Sequence, residues 1–198
     1  MGKTKRKYDP SNRIITPDLI EALTALTHLF KRFNDRGVII GGIAASLLGR
    51  PRLTADLDAV ILLRIEDLEK LIEAAKEEGL TVRISDAEAF TKKNRVLLLK
   101  HANSGINIDL SLGILPFEVE MVERGQKINI MGLDIRLPTA EDLIIMKSVA
   151  HRPKDLEDIR AIAESHPHLD KKRIQLWVSQ FGKLLDLPGL WEEIDKLL

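Results

Sequence analysis

From Thr16 onward apolar residues recur at three- and four-residue steps, at Leu19, Leu23, Leu26, Phe30 and Phe33, which predicts an amphipathic helix. Thr16 suits its N-cap and Pro17 its first turn, and Gly37 stands where a left-handed cap would end it. Residues 38–40 then read as a short buried strand. Gly41 and Gly42 follow, and 43–48 form two helical turns before Gly49. The run 55–63 has strand length, with Asp56 and Asp58 breaking an otherwise apolar stretch. Residues 65–78 carry Leu68, Leu71, Ile72 and Ala75 on one helical face, closed by Gly79. An edge strand is expected at 80–84.

Two hairpins follow. The first pairs 95–101 with 106–112 through Asn103, Ser104 and Gly105, and the second pairs 127–131 with 134–137 around Gly132. The last third is helical. Thr139 with Asp142 has the form of a capping box, so a helix is expected over 140–150. Pro153 restarts a helix bearing Asp155, Leu156 and Ile159. Two amphipathic helices, 170–184 and 189–198, complete the chain around Pro188. The pattern predicts a mixed α/β (α+β) fold: a flexible basic tail over 1–15, an α/β core over 16–138 and a helical subdomain over 139–198.

The chain has 198 residues, which at about 150 per domain is one compact domain with a small addition. Charged residues make up 30% and hydrophobic ones 44%, the balance of a soluble globule. Thirty basic residues offset thirty acidic ones, so wholesale electrostatic binding to nucleic acid or an anionic membrane is not expected. The absence of cysteine excludes disulfides, thiolate zinc sites and cysteine nucleophiles. No apolar run reaches membrane-spanning length, and Lys3, Lys5, Arg6 and Lys7 open the chain without a signal-peptide core. A cytoplasmic protein is expected.

The chemistry concentrates between Gly41 and Asp58. A glycine pair between strand and helix lets a ligand approach backbone, and the helix N-terminus behind it suits phosphate. Alternate residues of a strand share a face, so Asp56 and Asp58 project together. Two carboxylates about 5 Å apart repel by roughly 3 kcal/mol at an effective dielectric of about 20, a cost that a divalent cation would relieve. Asp109 interrupts Ile106, Ile108 and Leu110 in a second core strand, and strand pairing could bring it beside the first two. Three oxygen donors without histidine or cysteine suit Mg2+ or Mn2+ rather than zinc. No Gly-Lys-Ser/Thr occurs, which excludes a P-loop.

The glycine pair, the short helix, Asp56-Leu57-Asp58 on a strand and the later Asp109 resemble the nucleotidyltransferase superfamily typified by DNA polymerase beta. The wording Gly41-Gly42-Ile43-Ala44-Ala45, then Gly49, Arg52, Thr54 and Asp56-Leu57-Asp58, is similar to the AbiEii/MenT-like group, as are Lys147, Arg152, Lys154, Asp155 and Asp158. The resemblance spans residues 37–165. It implies transfer of a nucleoside monophosphate from an NTP such as ATP to a hydroxyl acceptor, with release of pyrophosphate. The acceptor would be an RNA end, a protein side chain or a small molecule, and toxin-type members of the group imply a cognate antitoxin. By resemblance Gly41, Gly42, Ser46 and Arg52 meet the nucleotide, Lys147 the phosphates, and Asp155 lines the cleft. Asp56, Asp58 and Asp109 are the implied catalytic residues and metal ligands, Asp109 also acting as general base. A nucleotide-binding module without catalysis is the alternative. From the residues alone, Lys147 reads equally as a solvated charge and Asp155 as a cap after Pro153. His166 and His168 read as a surface loop.

Overall fold

The computed structural model describes residues 15–198, so the basic segment lies outside the described residues up to position 14, while Ile15 is buried. Helix α1 (Pro17–Arg32) is capped by Thr16, whose Oγ1 accepts the Leu19 N–H at 3.2 Å. Its buried face is the predicted stripe of Leu19, Leu23, Leu26 and Phe30. Gly37 is not its cap. The chain leaves the helix through Asn34 and Asp35, whose φ values are 58° and 54°, and Gly37 opens strand β1 (Gly37–Ile40). A Cβ at Gly37 would stand 2.5 Å from the Phe30 ring, so packing rather than a left-handed turn requires glycine there.

Helix α2 (Gly41–Leu48) follows β1 without a loop, and strand β2 (Asp56–Leu62) runs back antiparallel to β1. A 3-10 turn (Ile65–Asp67) leads into α3 (Leu68–Glu77), and β3 (Leu80–Val82) is an edge strand as expected. Helix α4 (Ala87–Asn94) leads to the hairpin of β4 (Val96–His101) and β5 (Asn107–Gly113). These five strands form one sheet in the order β1-β2-β5-β4-β3, in which only β2 and β5 are parallel. Leu57, Ala59 and Ile61 of β2 and Ile108, Leu110 and Leu112 of β5 are buried on one face, each worth about 1.5–3 kcal/mol for the larger side chains. That burial fixes the register and sends Asp56, Asp58 and Asp109 to the other face.

Two helices have no counterpart in the apolar pattern. Helix α4 buries only Ala87 and Thr91, which leaves no stripe to read. Helix α5 (Pro116–Arg124) is marked instead by Pro116 in its first turn and by Glu118, whose Oε2 accepts the N–H groups of Ile114 and Leu115 at 2.8 and 2.9 Å. The second hairpin, β6 (Gln126–Ile130) with β7 (Leu133–Leu137), turns through Met131 and Gly132 at positive φ.

Four helices follow: α6 (Ala140–Ala150), α7 (Pro153–Ser165), α8 (Lys171–Leu184) and α9 (Leu190–Asp195). Thr139 Oγ1 accepts the Asp142 N–H at 3.2 Å, as a cap should. Asp142 does not close the box. Its fully buried carboxylate accepts from Arg124 of α5 at 3.3 Å and from Arg173 of α8 at 2.7 Å, fastening α6 to both helices. Helices α6 and α7 pack on α2, and Leu143, Ile144, Ile159 and Ile162 join the same core as Ile39, Ile43 and Leu57. The helical part thereby forms a wall over the N-terminal end of β2.

Candidate functional site

Parallel pairing of β2 with β5 places Asp58 opposite Asp109 in register, and Asp56 opposite Asn107. The expected approach of the third carboxylate is therefore a consequence of strand order. The three aspartates line a cavity of about 320 Å³ together with Gly41, Gly42, Arg52, Thr54, Lys147, Arg152, Lys154 and Asp155. Burial pushes the Asp58 carboxyl up, and the charges of Asp109 and Asp56 push the same way. The Gly42 backbone N–H and the Lys147 ammonium oppose this without cancelling it. Two further carboxylates therefore leave the site short of positive charge at Asp58.

The glycine pair lies inside α2 rather than in a turn before it. Ile40 occupies the N-cap without a side-chain bond, and the Gly42 N–H in the first turn donates to the Asp58 carboxylate. Gly41 has φ +62°, and a Cβ there would fall within the Asp58 carboxylate, 2.6 Å from Cγ. A Cβ on Gly42 would stand 2.7 Å from Thr54 Oγ1. Gly41 thus requires glycine because β2 passes directly beneath, and Gly42 because the loop before β2 closes on it at Thr54. Gly79 has a similar φ, +75°, but nothing within 4 Å of its virtual Cβ. Gly41→Ala should therefore cost more than Gly79→Ala, about 2–4 kcal/mol against about 1. Denaturant midpoints of the two variants measure the difference, and equal losses would show that Gly41 answers only to its dihedral.

The rear wall is an ion network. Lys147 is buried, and its Nζ lies 2.9 Å from Asp155 Oδ1 and 2.7 Å from Asp158 Oδ2. It is thus neither a solvated charge nor an unencumbered phosphate ligand. Arg52 forks onto Asp158, with Nε at 3.2 Å from Oδ1 and Nη2 at 3.0 Å from Oδ2. Arg152 Nε reaches Asp155 Oδ2 at 2.6 Å, and the Arg152 backbone N–H donates to the same oxygen at 3.3 Å. Asp155 is accordingly both the cap of α7 and part of the cleft wall. Burial alone would push its carboxyl up, but Arg152 and Lys147 outweigh burial and hold it below the usual range. Three cations, Arg52, Lys147 and Arg152, meet two carboxylates, which leaves a positive surplus facing the cleft.

Ser46 is not at the cleft. It is buried in α2 and donates to the Arg52 carbonyl at 3.0 Å, shaping the loop that presents Arg52. Asp158 and Arg83 are the residues whose parts at this site spacing alone does not show. Asp158 lies one helical turn after Asp155, a signal that could have placed both on one face of α7. Arg83, just beyond β3, pairs with the Asp109 carboxylate, and nothing local predicts that contact. Among the described residues, no three carboxylate or imidazole side chains converge as a ready-made metal cluster. The donor set still fits a hard divalent cation: oxygen ligands only, on adjacent strands, at a carboxylate whose ionisation the fold opposes.

Residues 18–166 match the family described as "Nucleotidyltransferase of unknown function (DUF6036)". No curated protein matches the chain. Among solved structures, the chain is similar to an antigenic nucleotidyltransferase-like protein from Paracoccidioides brasiliensis (TM-score 0.53, 15% identity, over 90% of this chain and 94% of that one). It is also similar to the antibiotic-resistance factor ANT(2'')-Ia in solution (TM-score 0.54, 14% identity, over 84% of this chain and 94% of that one). The same factor in complex with adenylyl-2''-tobramycin gives a TM-score of 0.54 at 17% identity, over 83% of this chain and 98% of that one. At these identities the likeness speaks for the fold.

Proposed function

Since the chain belongs to the DUF6036 family of nucleotidyltransferases, we propose that it transfers a nucleoside monophosphate from an NTP to a hydroxyl acceptor, releasing pyrophosphate and depending on Mg2+ or Mn2+. The observation that carries this reading is the in-register pairing of Asp58 with Asp109, with Asp56 on the same strand, beside the N-terminus of α2. In this reaction the acceptor oxygen bonds to the α-phosphorus, the bond to the pyrophosphate oxygen breaks, and the acceptor proton leaves to a base. Asp109 is the base on this reading. Asp56, Asp58 and Asp109 would hold the divalent cation, whose charge lowers the pKa of the acceptor hydroxyl and offsets charge on the leaving pyrophosphate.

The chain's own groups bind and orient the triphosphate. The Gly41 N–H and the dipole of α2 face its negative charge, while the Gly42 N–H holds the Asp58 carboxylate beside it. Arg52, Lys147 and Arg152 supply the positive surplus of the rear wall, and Lys154 stands exposed on the rim. Asp155 and Asp158 keep those cations in place. Ser46 acts through the Arg52 loop.

The acceptor is an RNA end, a protein side chain or a small molecule, and the aminoglycoside product bound by ANT(2'')-Ia illustrates the last class on a similar fold. The AbiEii/MenT-like wording of residues 41–58 and 147–158 supports a toxin-type enzyme with a cognate antitoxin. Among the described residues no helix is long and apolar enough to cross a membrane. Incubating the protein with each labelled NTP, Mg2+ and the three acceptor classes should give labelled acceptor and pyrophosphate together. NTP binding without pyrophosphate from any acceptor would instead establish a nucleotide-binding module without catalysis.

A further inference from the structure

The contact between Arg83 and Asp109 belongs to no expectation drawn from the sequence. Asp109 sits in a row across the sheet: Ile40, Asp58, Asp109 and Leu98 are successive register partners, and the Arg83 N–H donates to the Leu98 carbonyl at 2.9 Å. Arg83 is thus fixed by its backbone two strands from Asp109, with β4 between, and its guanidinium reaches back over Leu98 to the carboxylate. The Arg83 side chain is 25% exposed and that of Asp109 45%, so the pair borders the cleft without being sealed in it.

This contact bears on the spacing of the carboxylates. Three carboxylates share one end of the sheet, yet no three of them converge among the described residues, because Asp109 is turned toward a cation of the chain itself. The same contact gives Asp109 a cation of its own, whereas Asp58 meets only the Gly42 N–H and the more distant Lys147 charge. A guanidinium carries a fixed charge that deprotonation does not remove, so the Nη2 contact occupies the Asp109 carboxylate as a ligand would.

Resting on the proposed metal-dependent reading, we infer that Arg83 is a positioning residue that holds Asp109 in the metal-free enzyme and must be displaced before Asp109 can ligate a divalent cation. Arg83 stands in for the ion, lowering the repulsion among the three carboxylates while the site waits for nucleotide. Its release then leaves a free guanidinium beside the place where the acceptor must approach Asp109.

Mn2+ alone is the probe. Binding titrations read by the paramagnetic resonance of free Mn2+ should show Arg83→Gln binding about tenfold more tightly than wild type, since the ion no longer competes with a charge-assisted pair. Arg83→Lys, which keeps the charge on a shorter side chain, should fall between the two. Without metal Arg83→Gln should melt below wild type, and saturating Mn2+ should narrow that gap. Unchanged or weaker Mn2+ binding in both variants overturns the inference, as does a melting gap that Mn2+ leaves untouched, which marks a purely structural ion pair. Asp58→Asn separates this failure from that of the underlying reading: Mn2+ binding equal to wild type in that variant means that the aspartates hold no metal at all.

Discussion

Asp58→Asn should abolish nucleotidyl transfer while leaving the metal-free protein at least as stable as wild type. The carboxyl of Asp58 is pushed up first by burial and then by the charges of Asp109 and Asp56. A group whose folded pKa is raised binds its proton more tightly in the native state than in the unfolded one. Native stability then falls as pH rises from the unfolded pKa, about 3.9, through the folded value. Wild type should therefore lose stability over that window relative to the variant, whose amide carries no charge and still accepts from the Gly42 N–H. Activity moves the other way. Loss of a ligand to the cation removes several kcal/mol of charge stabilisation in the transition state, so kcat should fall by about a thousandfold or more. Wild type should gain about 2.7 kcal/mol from Mg2+ and NTP at a hundredfold excess over Kd, and the variant little. Melting curves with and without Mg2+ and NTP, beside a transfer assay, measure both effects. A destabilised variant that keeps the full ligand-induced shift would make Asp58 a scaffold residue and remove the metal-dependent mechanism.

The second large effect is on folding. Asp155→Ala should destabilise the protein by about 3–5 kcal/mol, because it strips one of two carboxylates from a buried lysine. It also takes the acceptor from the Arg152 N–H and the partner from the Arg152 guanidinium. For a chain of this size each kcal/mol shifts Tm by about 2–4 °C, so the melt should fall by about 6–20 °C. The pH dependence has the sign opposite to that of Asp58. Burial raises the Asp155 carboxyl, but Arg152 and Lys147 win and hold it low, so its stabilisation is complete above the unfolded pKa of about 3.9. That stabilisation is lost as pH falls through the folded value. Wild type should lose stability on acidification over this range, and Asp155→Ala should lose the Asp155 share of that slope. An unchanged acid limb in the variant would mean that the ion network contributes no net stability.

These expectations place the functional weight of the C-terminal helices in their charges. Asp155 and Asp158 of α7 hold Arg52 from the loop before β2 and Lys147 from α6, so three chain segments meet at two carboxylates. Burying such a network is costly unless every member is paired, which is why the removal of one partner should be felt so strongly.

The order of residues along the chain is enough to read the local elements and the candidate chemistry. The α1 stripe, both hairpins, the capped start of α6 and the strand carrying Asp56 and Asp58 follow from periodicity, glycine and capping residues, all of which act within a few positions of the chain. It did not show α4, which buries too little apolar surface to leave a pattern. What meets across long separations follows from packing. Burial of Leu57, Ala59, Ile108 and Leu110 sets the face, and the parallel pairing of β2 with β5 makes Asp58 and Asp109 neighbours although 50 intervening residues separate them. The packing of α7 on α2 likewise brings Asp158 to Arg52 and turns Lys147 from a surface charge into a buried one. Arg83 reaches Asp109 only because β4 lies between β3 and β5. Side-chain periodicity records which face a residue shares with its near neighbours. Which distant residue stands opposite is fixed by strand order and helix packing, and these are properties of the whole core.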